Sequence, residues 1–436
     1  MHERRIPEWL RHAPAPSVRG FAILAGAEAV ARGILISVFP VVMYNTLQDA
    51  RVVSEVYFII GAISLMIGLL IPYLIRFIPR WWVYVFGTVM FVSGASLTIL
   101  QTPGTAIAGL ALTTFAVVTT FVCFNAYVLD HVAKIQLGRF ETSRLLYSAL
   151  GWTAGPALGT FLYGWWRPAP FLIAALAAAT MLLIFLVMRL GNGKLITKRS
   201  RAPANPFAYF SRFFAQPRLV TGWTFAVVRS CGWWVYVVYL PIFAVQNGLG
   251  SQLGGIALSI TNAALFFTPL MLRFMQRRSV RAAVRTGFLM SGLLFLLAGA
   301  PNGTPELTVA LLMAGSIFLI LLDVSAGLPF LLAVKPSERT EMSAIYSSFR
   351  DVSGIVTPGA AWLVLLAAPL SAVFSAGGAA LLFTWVLSAK LHPRLGRERI
   401  STQNAPVQNA GLVPASGSLP QMMQKQPEPI PISRDP

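Results

Sequence analysis

Blocks of about 20 consecutive apolar residues recur along the chain, and they limit its fold more than any other feature. That is the helix length needed to cross the ~30 Å hydrocarbon core of a bilayer. Of the 436 residues 56% are hydrophobic and only 11% are charged, against about 25% charged in soluble domains. The ten-residue alternation of transmembrane β-strands is absent from the sequence. The sequence therefore predicts an all-α polytopic membrane protein.

The apolar blocks predict about twelve transmembrane helices, which we number span 1 to span 12. The predicted spans cover residues 20–45, 55–77, 81–101, 104–129, 143–166, 169–190, 219–245, 252–275, 282–300, 306–332, 343–366 and 369–390.

Basic residues lie almost entirely in alternate loops, and the remaining loops hold little more than Arg51 and Arg167. This is the positive-inside pattern. It predicts an even number of spans with both termini in the cytoplasm, in what we expect to be the bacterial inner membrane. The N-terminus has no pattern of a cleavable signal peptide. The pattern also accounts for the net charge of +19, so no nucleic-acid partner is predicted.

Short sequences in the first half recur in the same order in the second half, which indicates an internal repeat. The pairs are A-V-A-R at 29–32 with A-V-V-R at 226–229, P-Y-L-I-R-F at 72–77 with P-L-M-L-R-F at 269–274, and R-F-E-T-S at 139–143 with R-T-E-M-S at 339–343. Each half would hold six spans in the same orientation. Such parallel halves enclose a central substrate cavity in one known plan of transporters.

The repeat divides the chain into five predicted regions. They are a cytoplasmic N-terminal segment (1–17), a first six-helix half (18–190), a central cytoplasmic loop (191–218), a second six-helix half (219–392) and a cytoplasmic tail (393–436). The tail is rich in Gln, Asn, Pro and Ser and is predicted to be disordered.

The central loop predicts a short amphipathic helix on the cytoplasmic membrane surface. Asn205 can cap it, with Pro206 at its first position. The phenylalanines that would share one face are Phe207, Phe210, Phe213 and Phe214. A loop with scattered aromatic residues is the alternative.

The chain resembles the major facilitator superfamily of secondary transporters over about residues 18–392. The loop motif after span 2 keeps Arg76 and Arg80 but has no acidic residue, and the second copy keeps Arg273 and Arg277. The resemblance implies a cytoplasmic gate at these loops. The implied gate residues are Arg76, Arg80, Arg139, Glu141, Arg273, Arg277, Arg339 and Glu341. Arg350 and Asp351, near the cytoplasmic end of span 11, would pack helices or belong to this gate.

Span 5 contains G-W-T-A-G-P-A-L-G, with Gly151, Gly155, Pro156 and Gly159. It is similar to the Gly-Pro signature of the family's antiporters, which would imply exchange. The alternative is close helix packing, because small residues let backbones approach. The family's basic motif in span 4 is missing, which weakens the case for a drug–proton antiporter.

Ionisable residues inside spans cost about 2.5–3.5 kcal/mol each on insertion scales and indicate function by default. Glu28 and Arg32 are four residues apart in span 1, so they can pair across one helix turn. The pair could simply neutralise itself and hold helices together. Alternatively, Arg32 and its repeat equivalent Arg229 face each other across the cavity and bind a carboxylate or phosphate.

The functional interpretation assigns further residues to the cavity. A carboxylate there can carry a proton, and Glu28 and Asp323 are the candidates. Asn125, Trp233 and Tyr236 would contact the substrate, although aromatic residues in spans often face lipid instead.

The sequence predicts a monomeric secondary transporter that moves a small organic solute, with the arginines favouring an anion and the carboxylates favouring proton coupling. One alternative is an efflux antiporter for amphipathic or drug-like compounds. Another is a membrane scaffold or sensor that keeps the fold without transport. The predicted partners are a small-molecule substrate, protons and the lipid bilayer. No enzyme, cofactor or metal site is predicted, because no nucleophile–base or metal-ligand pattern occurs.

Overall fold

The computed structural model describes residues 18–75, 77–132, 137–188, 210–300, 304–334, 342 and 345–390. Within these ranges all regular structure is helical, and each predicted span is matched by a helix whose ends differ by a few residues. The predicted cap at Asn205 and the predicted tail lie outside the described residues.

The first half holds six spans. They are span 1 (Val18–Ile36, continued by Val38–Leu47), span 2 (Ala50–Leu74), span 3 (Arg80–Thr98), span 4 (Pro103–His131), span 5 (Leu137–Trp165) and span 6 (Ala169–Val187).

The second half repeats this order. It holds span 7 (Pro217–Trp234, Val235–Tyr239 and Leu240–Gln246), span 8 (Leu253–Ala263, Ala264–Phe267 and Thr268–Arg278), span 9 (Val280–Ala298), span 10 (Pro305–Ser325 and Leu328–Ala333), span 11 (Phe349–Val364) and span 12 (Ser371–Leu387).

Among the described residues, nine of these spans are long and apolar enough to cross a membrane on their own. The other three are span 5, which is rich in small residues, and the shorter spans 11 and 12. Together they support an integral membrane protein of about twelve helices.

Spans 7 and 8 each contain a turn that is not α-helical, and in each a proline lies just beyond that turn. Span 7 becomes a π-helix at Val235–Tyr239 before Pro241, and span 8 becomes a 3-10 helix at Ala264–Phe267 before Pro269. Proline has no backbone N–H and crowds the preceding turn, so it loosens the hydrogen bonding there. These breaks rotate the residues that follow them about the helix axis.

The glycines of span 5 pack directly on span 1. A Cβ atom added to Gly155 would lie 2.6 Å from the carbonyl carbon of Gly33, and one added to Gly159 would lie 2.0 Å from the carbonyl oxygen of Ile34. Both distances are shorter than any real contact, so no side chain fits there. Backbone-to-backbone packing therefore fixes span 1, which carries Glu28 and Arg32, against span 5.

We call the side of the membrane that holds the loops after spans 1, 5 and 7 the outer side, and the opposite side the basic side. The two halves meet through spans 5 and 8 and through spans 2 and 11. A Cβ atom on Gly255 would lie 2.3 Å from the oxygen of Pro156, and one on Gly61 would lie 2.9 Å from the oxygen of Gly354. Tyr239 donates a hydrogen bond to Ser54 across the halves (3.0 Å). The halves are thus packed tightly from the outer side to mid-membrane.

The predicted surface helix of the central loop is represented by one turn, Phe210–Phe214. Phe213 is fully buried in a cluster with Leu219, Phe330 and Ile345, which differs from the predicted membrane-facing position. Burial against three large apolar side chains removes Phe213 from any lipid contact. Phe210 and Phe214 are exposed. Phe207 lies outside the described residues.

We expect Gly159→Ala to destabilise the protein by about 1–3 kcal/mol, because its new methyl group meets the span 1 backbone, which must move. Thermal unfolding of the detergent-solubilised protein measures the effect. Gly104→Ala is the control, because no atom lies within 4 Å of a Cβ at Gly104. Equal stability of the two variants would contradict this account of the contact between spans 1 and 5.

Candidate functional site

Span 1 places an ion pair in its middle. The Nη1 atom of Arg32 lies 3.1 Å from Oε1 of Glu28, so the pairing predicted from their four-residue spacing is present. The guanidinium also lies over the ring of Trp152 in span 5, at 5.3 Å from the ring centre. Stacking on a tryptophan face stabilises a cation. Arg32 is therefore held by one carboxylate and one aromatic ring.

A second ion pair joins spans 7 and 10. The Nε atom of Arg229 lies 3.0 Å from Oδ1 of Asp323, and the indole N–H of Trp233 donates to Oδ2 of the same carboxylate at 2.9 Å. Both oxygens of Asp323 are therefore engaged. Sequence analysis selected all three residues but did not predict that they contact one another. The second pair differs from the first because Phe225 occupies the position equivalent to Glu28, so the carboxylate comes from another span.

The two pairs lie in one region of the protein, because Arg350 is within electrostatic range of both Arg32 and Arg229. Arg32 and Asp323 each keep 35% of their side-chain surface exposed. Charged side chains inside membrane spans rarely face lipid, and spans 5 with 8 and 2 with 11 pack tightly from the outer side. We therefore infer that the exposed surface faces a cavity that opens towards the basic side. Glu28 and Arg229 are more covered, at 15% and 11% exposed.

Arg350 belongs to this charged region. Its guanidinium and that of Arg229 lie over the same ring, that of Phe349, at 5.6 and 5.1 Å from the ring centre. Arg350 is also within electrostatic range of Arg32 and Arg144. Its predicted place was a shallower position, apart from the substrate residues. The structure instead places it beside Arg229, with the ring of Phe349 in contact with both guanidinium groups.

Further ionisable residues lie towards the basic side of the two pairs. Arg32 and Arg229 each have one carboxylate partner, so the two inner pairs are neutral together. Towards the basic side the region adds Arg144, Arg350 and Asp351.

Tyr236 does not line the cavity in this structure. It is fully buried, and its hydroxyl shares a 2.8 Å hydrogen bond with Thr261, which in turn bonds to Ser316. The prediction placed Tyr236 on the Arg229 face by regular helical spacing. Its ring does lie beside that of Trp233, with the ring centres 6.1 Å apart, and its hydroxyl is buried by the polar contact with spans 8 and 10. Asn125, in span 4, is half-buried.

Most of the predicted gate residues cannot be placed. Arg76, Arg339 and Glu341 lie outside the described residues, as do the side chains of Arg139 and Glu141. Arg80 forms an ion pair with Asp130 and lies over the ring of Tyr127 at 5.2 Å, which joins spans 3 and 4 within the first half. Arg273 and Arg277 are exposed.

No group of three or more His, Cys, Asp or Glu side chains among the described residues is arranged to hold a metal ion. Cys123 and Cys231 are both free thiols inside spans.

Two packed halves of membrane-spanning helices, with paired charges in a cavity between them, form the arrangement of a membrane transporter. The comparisons with known proteins agree. The family model of the Major Facilitator Superfamily matches residues 21–358. The chain therefore belongs to this family and is a secondary transporter, a class of proteins that carry small molecules across membranes.

Solved structures with the same fold carry different substrates. The nucleoside transporter NupG is 14% identical, with 86% of this chain and 100% of that chain covered and a TM-score of 0.67. A POT family transporter in complex with a thioalcohol-conjugated peptide is 12% identical (87% and 96% covered, TM-score 0.67). A bacterial homologue of the iron transporter ferroportin, in an inward-facing state, is 13% identical (86% and 98% covered, TM-score 0.63). No curated protein sequence matches the chain.

We expect the two ion pairs to be energetically separate. Replacing one member of a pair, as in Asp323→Asn, leaves Arg229 without a carboxylate, and removing both members costs less than the sum of the single changes. A double-mutant cycle of Asp323→Asn with Arg229→Gln should give a coupling of about 0.5–3 kcal/mol. Thermal unfolding is the measurement.

The matched control combines Asp323→Asn with Glu28→Gln, which removes one carboxylate from each pair. These two changes should be nearly additive, because their partners differ. No coupling within the Arg229–Asp323 cycle would contradict the ion pair.

Proposed function

We propose that this transporter carries a small organic anion by alternating access and couples its movement to protons. The observation that carries the proposal is the pair of repeat-equivalent arginines, Arg32 and Arg229, each held beside the cavity by one carboxylate. A planar guanidinium with several N–H donors suits a carboxylate or phosphate group.

Proton coupling follows from competition for the same guanidinium. While Asp323 is ionised it occupies the Nε edge of Arg229. A proton on Asp323 removes that negative charge, and the arginine can then take the anionic group of a substrate as its partner. The same exchange applies to Glu28 and Arg32. A proton and an anion would therefore bind together, which keeps the cavity close to neutral when it closes and excludes water.

The two repeat-equivalent arginines support an anion over a cation. A cationic solute would have to displace Arg32 or Arg229 from its carboxylate before it could bind there. An organic anion is attracted by either guanidinium. Electrostatic attraction into a low-dielectric cleft also raises the local concentration of the attracted ion.

The packing supports an assignment of state and orientation. If the basic side faces the cytoplasm, as the positive-inside pattern favours, the cavity is open inward in this conformation. The outer gate is then formed by spans 5 and 8. Ser259 accepts a hydrogen bond from the backbone N–H of Ala157, and the Asn262 amide donates to the oxygen of Trp152 (2.9 and 2.6 Å).

Alternating access requires these outer contacts to open and the loops on the basic side to close. We keep the predicted gating role for Arg76, Arg80, Arg139, Glu141, Arg273, Arg277, Arg339 and Glu341, and we assign Arg350 and Asp351 to the boundary between gate and substrate site. Asn125 and Trp233 remain proposed substrate contacts. The protein would work as a monomer in a bacterial inner membrane, without catalysing a chemical reaction.

Efflux by exchange is the second candidate. It is favoured by the Gly151–Gly159 segment, whose close packing on span 1 leaves little room for a leak of protons or solute when the halves move. The same packing is compatible with uptake. Whether the anion moves in the same direction as the proton or in the opposite direction decides between uptake by co-transport and efflux by exchange. Loading proteoliposomes with the transported anion and imposing a pH gradient of either sign distinguishes exchange from co-transport.

We expect proteoliposomes that contain this protein to take up one or more members of a panel of organic acids and phosphate esters when a pH gradient is imposed. Glu28→Gln or Asp323→Asn should abolish the effect of the gradient, because each removes a proton-binding carboxylate. Counterflow of labelled solute, which needs no gradient, should persist in the variants. Unchanged proton-driven uptake in both would contradict the proton-carrier role.

Two controls make this experiment specific. Glu306→Gln removes an exposed carboxylate from the first turn of span 10, far along the helix from Asp323, and should leave the gradient response intact. Arg32→Ala should raise the KM for the anion by at least about tenfold, since a charge-assisted hydrogen bond is worth about 1.5–3 kcal/mol. Arg167→Ala, at the outer side, should leave KM unchanged. If no member of the panel moves, the scaffold interpretation is favoured.

A further inference from the structure

The hairpin of spans 8 and 9 carries an unusual excess of positive charge. Its five arginines fall within thirteen residues and are Arg273, Arg277, Arg278, Arg281 and Arg285. No Asp or Glu occurs anywhere in the sequence between Glu141 and Glu306. No neighbouring residue in sequence can therefore neutralise them, and their role as gate residues would need a carboxylate from elsewhere.

Three of these arginines face outward at the end of span 8. Arg273, Arg277 and Arg278 are exposed and form no ion pair with a described carboxylate. The turns just before them are exposed and apolar, with Phe266, Phe267 and Leu270 all more than half accessible. At 1.5 Å per residue, Leu270 and Arg277 are separated by about 10 Å along the helix. If the apolar turns lie among acyl chains, the arginines reach the level of the lipid phosphates.

The other two arginines are fixed by the end of span 12. The Nη2 atom of Arg281 donates to the backbone oxygen of Ala389 at 2.8 Å. The guanidinium of Arg285 lies over the ring of Trp385, 5.5 Å from its centre. These contacts hold the start of span 9 beside the end of span 12. They also place two further positive charges on the same side of the membrane as the exposed arginines.

We propose that this surface, made by Arg273, Arg277 and Arg278 with Arg281 beside them, binds the phosphate of anionic phospholipids. Charge complementarity carries the proposal. The cluster has no acidic neighbour in sequence, and the phosphates of anionic lipids lie at the same level of the membrane as these arginines. Basic clusters at the ends of membrane helices attract such headgroups, with about 1 kcal/mol per Lys or Arg near the surface. The proposal is independent of the substrate and of proton coupling.

Bound lipid would act on the helices that move in transport. Span 8 forms the outer gate with span 5 through Ser259 and Asn262, and its 3-10 turn at Ala264–Phe267 separates that gate from the arginines. A headgroup held at the end of span 8 fixes the position of the segment Thr268–Arg278 relative to the bilayer. Anionic lipid is then expected to stabilise the protein.

The test is thermal unfolding of the full-length protein in detergent micelles that contain either phosphatidylglycerol or phosphatidylcholine. Phosphatidylglycerol should raise the Tm of the wild-type protein above its value in phosphatidylcholine. The triple variant Arg273→Gln, Arg277→Gln, Arg278→Gln should lose more than half of that shift. The double variant Arg51→Gln, Arg167→Gln, which removes two arginines on the outer side, should keep all of it.

One further variant and one further ligand test the lipid assignment. A triple Arg→Lys variant at the same positions preserves the charge that orients the spans and should keep most of the shift, even if the Gln variant inserts poorly. Soluble glycerol phosphate should give no shift. An equal shift from glycerol phosphate would assign the cluster to a free phosphate compound and overturn the lipid assignment. An undiminished phosphatidylglycerol shift in a well-folded Gln variant would overturn it as well.

Discussion

The cost of placing charge inside a membrane is the constraint on which this structure depends. Four ionisable side chains lie deep in spans 1, 7 and 10, and the protein tolerates them by pairing them as Arg32 with Glu28 and Arg229 with Asp323. Aromatic rings complete each pair, Trp152 over Arg32, and Phe349 and Trp233 around Arg229 and Asp323. In the proposed function, each arginine becomes available to a substrate when its carboxylate partner takes up a proton.

The rest of the fold holds these pairs at the boundary between the two halves. Glycine packing fixes span 1 on span 5, the helix that we propose as part of the outer gate. Trp152 connects the two functions directly, since its ring lies under Arg32 while its backbone oxygen accepts a hydrogen bond from Asn262 in span 8. In the proposed transport cycle the contact between Trp152 and Asn262 opens, so a change at Arg32 would reach it through the single residue Trp152. The second pair has a similar connection through Phe349 to Arg350.

The sequence was sufficient to predict the helices, the repeat and the Glu28–Arg32 pair, because each follows from local spacing. Apolar blocks define spans, and residues four apart share a helix face whatever surrounds them. The Arg229–Asp323 pair was out of reach, since its members lie on different helices and meet only through the rotation of spans 7 and 10. The burial of Tyr236 could not be predicted for a related reason, since its hydroxyl contacts Thr261 on another helix. Arg350 was assigned by depth along its own helix, whereas its neighbours come from other spans.

The central claim is that a substrate anion replaces a carboxylate at its arginine when that carboxylate takes up a proton, and proton uptake on binding tests it most directly. The ligand is whichever carboxylate or phosphate compound of a metabolite library most stabilises the purified protein against heat. Adding it to the protein in weakly buffered solution with a pH indicator should make the solution more alkaline as protons are taken up, and the uptake should fall in the Asp323→Asn and Glu28→Gln variants. Tight binding of the anion with no proton uptake by the wild-type protein would contradict the account.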